Sequence, residues 1–404
     1  MPGAETALRR VRRLAQADRD TGEAHPGGYP PGRLAVGTDP IDIVGHNFMV
    51  PPSVNRPGTV VIMGGMAVDS GVEVWRSPAW RRRAVSWLDS CLATAGAART
   101  GAVEQPHLRP WATALRAPTT RGPVWLKAAG PGTAYEVRLY ELLASVVPDQ
   151  VLAPLAIDVR QGWIVLPDGG PTLGDRLSGK DLVDALVEIV PRYGRLQRAL
   201  APYADDIVAL GAPDMRPAVL PARFDEALDA VARYVSRRGT PAERDRYQRI
   251  AALRPAVVAW CARLDGPTSL DHNDLHPWNI FPADGDGGTG AARFYDWGDS
   301  VVAHPFASML VTLRVLRQLL GVRDDDPSLL RVRDAYLAAF ADLAPPAVLV
   351  ATMEVACRVG MVARALSWHR VVRQLPDEEA GEFAGAPLDW LASLLDDSYL
   401  GEDR

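Results

Sequence analysis

The sequence predicts an α+β protein of two lobes, a small β-rich lobe followed by a larger helical one. Three observations predict it. Short strand patterns with turn signals cluster between about residues 111 and 166. The stretch Pro167-Asp168-Gly169-Gly170-Pro171 then breaks the pattern. Beyond it the apolar residues recur almost entirely at helical spacing. At 404 residues and 48% apolar, the chain can bury a real core, either as two or three domains or as one bilobal unit.

Taken in order, residues 1 to about 75 are rich in Gly and Pro, with a linker-like run at His25-Pro26-Gly27-Gly28-Tyr29-Pro30-Pro31-Gly32. Thr59 to Met63 and Val72 to Trp75 read as two short strands. Trp80, Ala84, Trp87, Leu88, Cys91 and Leu92 then predict a helix over Pro78 to Ala97, capped by Ser77. Strands over Trp111 to Ala117 and Val124 to Ala128 flank the turn Pro118-Thr119-Thr120-Arg121-Gly122. Tyr135 to Val147 is an amphipathic helix with Val137, Tyr140, Leu143 and Ala144 on one face. Two more strands are expected over Val151 to Val159 and Gly162 to Leu166. Helices follow over Asp181 to Leu200, Phe224 to Arg237 and Glu243 to Leu264. A short β element lies between Asn279 and Tyr295. Four further helical stretches run Phe306 to Leu320, Ser328 to Ala341, Ala347 to Val371 and Leu388 to Leu395.

Composition excludes several classes. A formal charge of −5 argues against a dedicated nucleic-acid binder, which needs a phosphate-neutralising surface. Cys91, Cys261 and Cys357 lie far apart with no CxxC, which points to a reducing compartment. No secretory h-region follows Met1, and the longest apolar patch, Val60 to Val68, is half a membrane span, so a cytoplasmic protein with no membrane or nucleic-acid partner is expected. Of the 44 basic residues only Lys127 and Lys180 are lysines. Neither is followed by Ser or Thr, which removes a Walker A loop. The seven histidines form no His-Glu-x-x-His, and no Gly-x-Ser-x-Gly occurs. Gly285-Asp286-Gly287-Gly288-Thr289-Gly290 fits GxGxxG formally, but a strand pattern and no helix follows it, so it reads as a hairpin loop. It is also a poor EF-hand, with Tyr295 where a bidentate Glu is required.

The informative segment is Asp271-His272-Asn273-Asp274-Leu275-His276-Pro277-Trp278-Asn279-Ile280, followed by Phe294-Tyr295-Asp296-Trp297-Gly298-Asp299. Phosphoryl transfer needs one carboxylate beside an acceptor hydroxyl, to orient it and take its proton. It also needs oxygen ligands for Mg²⁺, which accepts one or two carboxylates and keeps several waters. An Asp followed five residues later by Asn can supply both, and an Asp ending the next hairpin strand can complete the metal site. Asp274, Asn279 and Asp296 have that order and spacing.

His272-x-Asp274-x-x-x-x-Asn279, extended through His276-Pro277 and Asn279-Ile280 to Asp296-Trp297-Gly298-Asp299, resembles the signature of the aminoglycoside phosphotransferase (phosphotransferase enzyme) family, which has a protein-kinase-like fold. The resemblance covers roughly Trp80 to Met309. It implies a bilobal kinase-like chain, with an N-terminal extension of unknown role over 1–75, an N-lobe handling nucleotide phosphates over 76–167, and a helical C-lobe with catalytic loop, metal and acceptor site over 168–404. It also implies a lysine on a strand that holds the nucleotide phosphates, fixed by a glutamate on the next helix. Lys127, in Val124-Trp125-Leu126-Lys127-Ala128, fits that place. Glu136 matches the pattern as its partner, with Glu141 as the alternative. The implied activity is transfer of the γ-phosphate of ATP or GTP, with Mg²⁺, to a hydroxyl of a small molecule. Aminoglycosides, other antibiotics, sugars, choline-like alcohols and fructosamines are acceptors within the family, so antibiotic resistance is one implied role. A kinase-fold binding or scaffold protein without turnover is the alternative. Trp163-Ile164-Val165-Leu166 reads as a core strand leading into the segment that contacts adenine in such folds.

The chain departs from the family at several points. Asn273 and Trp278 stand where many relatives have Gly. Ser308 stands where an acidic residue is common, and no glycine-rich phosphate loop precedes Trp111; His107-Leu108-Arg109-Pro110-Trp111 is the candidate for that part. His272 and His276 read as structural groups, Asp271 as a cap or a solvated loop residue, and Lys180 as having no role. Asp299 reads equally as a helper of the metal site or as a cap of the helix near Phe306. Trp80, Trp87 and Trp125 read as core. Residues 301–404 hold 15 acidic and 10 basic side chains. Their clusters Asp324-Asp325-Asp326 and Asp377-Glu378-Glu379 read as solvated loops, or else as a cation-selecting acceptor cleft.

Overall fold

A computed structural model of the chain describes residues 62–63, 66–67, 70–282, 292–373, 375 and 380–401. The linker-like run at 25–32, the Gly-rich segment 285–290 and the acidic run 377–379 lie outside the described residues, as does most of the strand expected over 59–63. The chain divides into two compact units, one ending at Gly169 and one beginning at Gly170.

The first unit is built on a five-stranded antiparallel sheet. Its strands are β1 (Glu104–Arg109), β2 (Ala112–Ala117), β3 (Val124–Ala129), β4 (Ala156–Asp158) and β5 (Trp163–Pro167), in the order β1-β2-β3-β5-β4. Alternation along β3 sends Leu126 and Ala128 to one face and Lys127 to the other. On the first face, Leu126 and Ala128 join Leu115, Ala117, Trp163 and Val165 against Trp80, Ala84, Leu88 and Leu92 of the helix Pro78–Thr94. Ser77 caps that helix, its hydroxyl accepting from Trp80 N–H at 3.2 Å. Trp163 meets Trp80 edge-on at 6.1 Å and Trp87 at 5.5 Å. Trp125 corrects its assignment to the core. It is half-buried on the Lys127 face, under the Arg116 guanidinium at 5.9 Å.

Two further readings need correction here. Val72–Arg76 is a helix, not a strand: two β-branched residues suggested extension, but burying Trp75 completely in the core beneath the sheet decides the conformation. Strand β1 escapes the strand pattern because it is polar and contains Pro106. A proline is tolerated there because β1 is an edge strand whose register with β2 shifts between Glu104 and His107. The turn between them, Pro110-Trp111, is tight and contains no glycine.

The second unit is mainly helical. Its principal helices are Gly179–Leu200, Leu220–Arg238, Met309–Leu320, Pro327–Ala338, Pro346–Val372 and Ala386–Ala392. The stretch expected over 243–264 is two helices, Pro241–Ala251 and Arg254–Cys261, with Pro255 in the first turn of the second, where its missing N–H costs least. Helix Pro346–Val372 is long and apolar enough to cross a membrane by length and composition. Here it lies in the core of the unit, where Val355, Val359, Met361, Val362 and Ala365 are buried. Two small ladders interrupt the helices. Ser269–Asp271 pairs antiparallel with Val301–Ala303, and Ile280–Phe281 with Arg293–Phe294.

Candidate active site

In the first unit, the face of β3 opposite the Leu126–Ala128 core presents Lys127 to the helix Tyr135–Val146. Lys127 Nζ lies 2.8 and 2.7 Å from the two carboxylate oxygens of Glu136. Glu136 is 1% exposed and sits in the helix's first turn, where the helix dipole also favours a carboxylate. Of the two candidate glutamates, the lysine is held by Glu136. A buried carboxylate is stable only when paired, so this ion pair fixes strand to helix and leaves one lysine with a defined direction.

In the second unit, two left-handed residues shape the site, one in the loop from Asp271 to Asn279 and one at the end of the following hairpin. Asn273 has φ 59° and Asp296 has φ 65°. Glycine adopts that conformation without strain and Asn is the next most tolerant residue, so Asn is at home at position 273. The Asn273 side chain is used as well, donating to the Asp299 carbonyl at 3.1 Å and to Ser367 Oγ at 3.0 Å. Asp296 is a β-carboxylate held in a sparsely populated conformation, as happens where geometry is over-determined at a functional site.

Asp274 and Asn279 come together directly. Asn279 is buried, and its Nδ2 donates to the Asp274 carbonyl at 2.9 Å. Tyr295 N–H donates to the Asn279 carbonyl at 3.2 Å, so the hairpin sets Asp296 one residue beyond the Asn279 pairing. With the nitrogen end of the amide engaged, Asn279 presents its oxygen end. An amide oxygen and a carboxylate are hard donors of the kind Mg²⁺ takes, so Asn279 and Asp296 are the residues that could hold one.

The Asp274 carboxylate is gripped from the opposite side by a residue the motif does not contain. Arg364, on the helix Pro346–Val372, brings Nη2 to 3.2 Å from Asp274 Oδ1 and Nη1 to 3.3 Å from Asp299 Oδ2. Arg364 Nη1 also donates to the Asn273 carbonyl at 2.8 Å, and its guanidinium lies 5.2 Å from the Trp390 ring centre. Burial by itself would raise the Asp274 carboxyl, but the Arg364 charge, helped by His276 with Nε2 3.6 Å away, holds it below the usual carboxylate range. Asp299 goes the other way: burial first, then the like charge of Asp274, raise it despite Arg364. Asp299 therefore belongs to this charge cluster. It does not cap the helix near Phe306, where the His304 ring accepts from Phe306 N–H at 3.3 Å.

His272 is fully buried, and burial lowers its pKa so that the ring is neutral. Its Nε2 faces the Tyr295 carbonyl at 2.9 Å and therefore carries the proton, pinning the hairpin end to the loop. Asp271 is 1% exposed and so is not a solvated loop residue. Its Oδ1 accepts from Asn273 N–H at 2.7 Å and from the Ser308 hydroxyl at 2.5 Å. Ser308, where the family resemblance implies an acidic residue, thus spends its hydroxyl on the carboxylate of Asp271. Trp278, the other departure, packs on Gly174: a Cβ there would come within 2.6 Å of the indole. Lys180 pairs with Asp184 on the surface of its helix.

Sequence reasoning missed Arg364. It is one of 42 arginines and lies 90 residues from Asp274. The available signal was a charge within the apolar run Met361-Val362-Ala363-Arg364-Ala365-Leu366, since a buried arginine needs a buried partner.

Comparison with known proteins adds the family. The phosphotransferase enzyme family (APH) matches residues 119–349, more than half of the chain. No curated protein matches it. Among solved structures, a type I macrolide 2'-phosphotransferase is 15% identical, with 76% of this chain and 97% of that one covered and a TM-score of 0.50. The GDP complex of wild-type aminoglycoside 2'-phosphotransferase-IIIa is 11% identical, covers 76% of this chain and 98% of its own, and has a TM-score of 0.50. At such identities these structures speak to the fold, which is protein-kinase-like with a small antiparallel sheet and a larger set of helices. The chain belongs to the phosphotransferase enzyme family.

Proposed function

We propose that the chain transfers the γ-phosphate of ATP or GTP to a hydroxyl of a small molecule, with Asp274 as the group that orients the hydroxyl and receives its proton. The observation that carries this reading is the folding of Asp274, Asn279 and the hairpin end at Asp296 into one cluster, with Asp274 held ionised by Arg364. An ionised carboxylate can accept a hydrogen bond from a hydroxyl and direct its lone pair. Asn279 and Asp296 hold Mg²⁺, which when bound neutralises charge on the transferring phosphate. Lys127 holds the nucleotide phosphates and Glu136 aims it. His272 and Asn273 keep the loop rigid around the base. A hydroxyl-bearing natural product, antibiotics included, is the acceptor class the family offers. The buried thiols of Cys261 and Cys357 suit a cytoplasmic setting.

The test is phosphate gain by acceptors supplied with Mg²⁺-ATP or Mg²⁺-GTP, read by mass spectrometry. Turnover abolished by Asp274→Ala supports the reading, and turnover at the native rate in that variant sinks it. Absence of nucleotide binding at millimolar concentration by calorimetry would instead favour a kinase-fold binding protein.

A further inference from the structure

We infer that the acceptor is a hydroxylated anion, its carboxylate or phosphate-like group taken by Arg370. This rests on Asp274 being the base. The helix Pro346–Val372 places Arg364, Ser367 and Arg370 at three-residue spacing, so they line one side of the helix. That side faces the Asp274 loop. Arg364 grips Asp274 and Asp299, while Ser367 Oγ accepts from Asn273 Nδ2 at 3.0 Å and from Arg370 Nη2 at 2.9 Å. Arg370 is thus tied to the same loop through one hydroxyl, and its charge reaches Asp299.

The two arginines differ in what they leave free. Arg364 is committed to two carboxylates and a carbonyl. Arg370 is half-buried and forms no ion pair with a carboxylate among the described residues. A guanidinium has five N–H donors in a planar fork suited to two oxygens of an anion, and among the described residues Arg370 spends one of them, on Ser367. Several cations gather here. Arg373, Arg233 and Arg370 all bear on His369 together with Glu226, and Arg370 also bears on Asp299. The acids at 324–326, which could have made a cation-selecting cleft, are used elsewhere, while those at 377–379 lie outside the described residues. Asp324 pairs with Arg317 at 2.7 Å, Asp326 caps the helix Pro327–Ala338, and Asp325 faces the exposed Arg323. Arg364 is neutralised by Asp274 and Asp299, whereas an anion meets in Arg370 an arginine that no described carboxylate pairs with.

The experiment uses the full chain with Mg²⁺-ATP and Mg²⁺-GTP and acceptors matched in carbon skeleton: hydroxy acids, neutral polyols and amino alcohols. Hydroxy acids are expected to have the lowest KM. Arg370→Ala should raise that KM at least tenfold while kcat and the nucleotide KM stay within about threefold, and Arg370→Lys should recover part of the loss. Arg370→Glu should move the preference toward amino alcohols. Amino alcohols as the best acceptors of the native chain, or an acceptor KM indifferent to Arg370→Ala, overturns the inference. If nucleotide binds and no acceptor turns over, inorganic sulfate serves as the anion probe, with Lys127→Ala as the control for the phosphate site. Equal sulfate affinity in the native chain and Arg370→Ala then overturns it. Failure of nucleotide binding sinks the phosphotransfer reading separately, and the sulfate comparison still decides whether Arg370 is an anion site.

Discussion

Arg364 Nη2 lies 3.2 Å from Asp274 Oδ1, although the two residues are separated by 90 positions and only one belongs to the loop motif. The arginine is 6% exposed and depends on Asp274, Asp299 and the Asn273 carbonyl to compensate its burial. The Asp274 carboxylate, in turn, is kept ionised by that arginine. The loop and the helix Pro346–Val372 thereby share one electrostatic unit.

Truncating that unit should be costly for folding. Arg364→Met leaves two carboxylates facing each other without a counter-charge, and loss of one partner of a buried pair typically costs about 3–5 kcal/mol. A urea titration of the variant should show a lower midpoint with an unchanged slope, and a midpoint equal to the native one would refute the pairing.

The Lys127–Glu136 pair should matter more for nucleotide than for stability. Lys127→Ala is expected to weaken Mg²⁺-nucleotide binding at least tenfold in calorimetry, with acceptor binding untouched. Glu136→Gln, which keeps shape and loses charge, should weaken it by a smaller factor because the lysine loses its aim and not its charge. Equal nucleotide affinity in all three proteins would remove both residues from the phosphate site.

These two ion pairs show what could be read from the sequence and what could not. Lys127 stood out because the chain has two lysines and one of them alternates with apolar residues on a strand. Glu136 was legible with it, being one of two glutamates on the next helix, and geometry separates it from Glu141. Asp274, Asn279 and Asp296 are close in sequence, so a short loop and a hairpin suffice to gather them. Arg364 arrives from a distant helix through tertiary packing, which leaves no local pattern. The same reason hid β1, where Pro106 and polar residues obscured an edge strand. It also misdirected Val72–Arg76, whose conformation follows from the burial of Trp75.

The loop conformation predicts an ordered series at Asn273. Asn273→Gly keeps the left-handed backbone and loses two side-chain hydrogen bonds, for a cost of about 1–2 kcal/mol. Asn273→Val adds a β-branched side chain at φ 59° and should cost more than Asn273→Gly. Thermal unfolding of both variants checks the order, and a valine variant as stable as the glycine variant would contradict the left-handed assignment.

Trp278 and Gly174 should behave as a coupled pair. Gly174→Ala drives a methyl into the indole, for an expected destabilisation of about 1–3 kcal/mol. In a Trp278→Ala background the same change should cost far less. Additive effects in the double mutant would show that the two positions do not touch.

Acid should act on the buried Asp271 in an unusual direction. Burial raises its carboxyl to about 6, so the folded chain holds this proton more tightly than the unfolded chain. Its contribution is present in full below the unfolded value near 4 and is lost as the pH rises through about 6. His304, lowered by burial to about 4, works the opposite way, losing stability as the pH falls from about 6.5 to 4. Asp271→Asn removes the first contribution and keeps the second. Its stability relative to the native chain should therefore fall as the pH drops from 6.5 to 4.5, and a constant difference across that range would contradict the raised carboxyl.

The most direct test of the central claim is single-turnover phosphoryl transfer by the Asp274→Asn protein, with nucleotide affinity measured on the same sample. An amide keeps the shape of the loop and cannot take the hydroxyl proton, so transfer should slow at least a hundredfold while Mg²⁺-nucleotide binds as in the native chain. Transfer at the native rate would contradict Asp274 as the group that receives the proton.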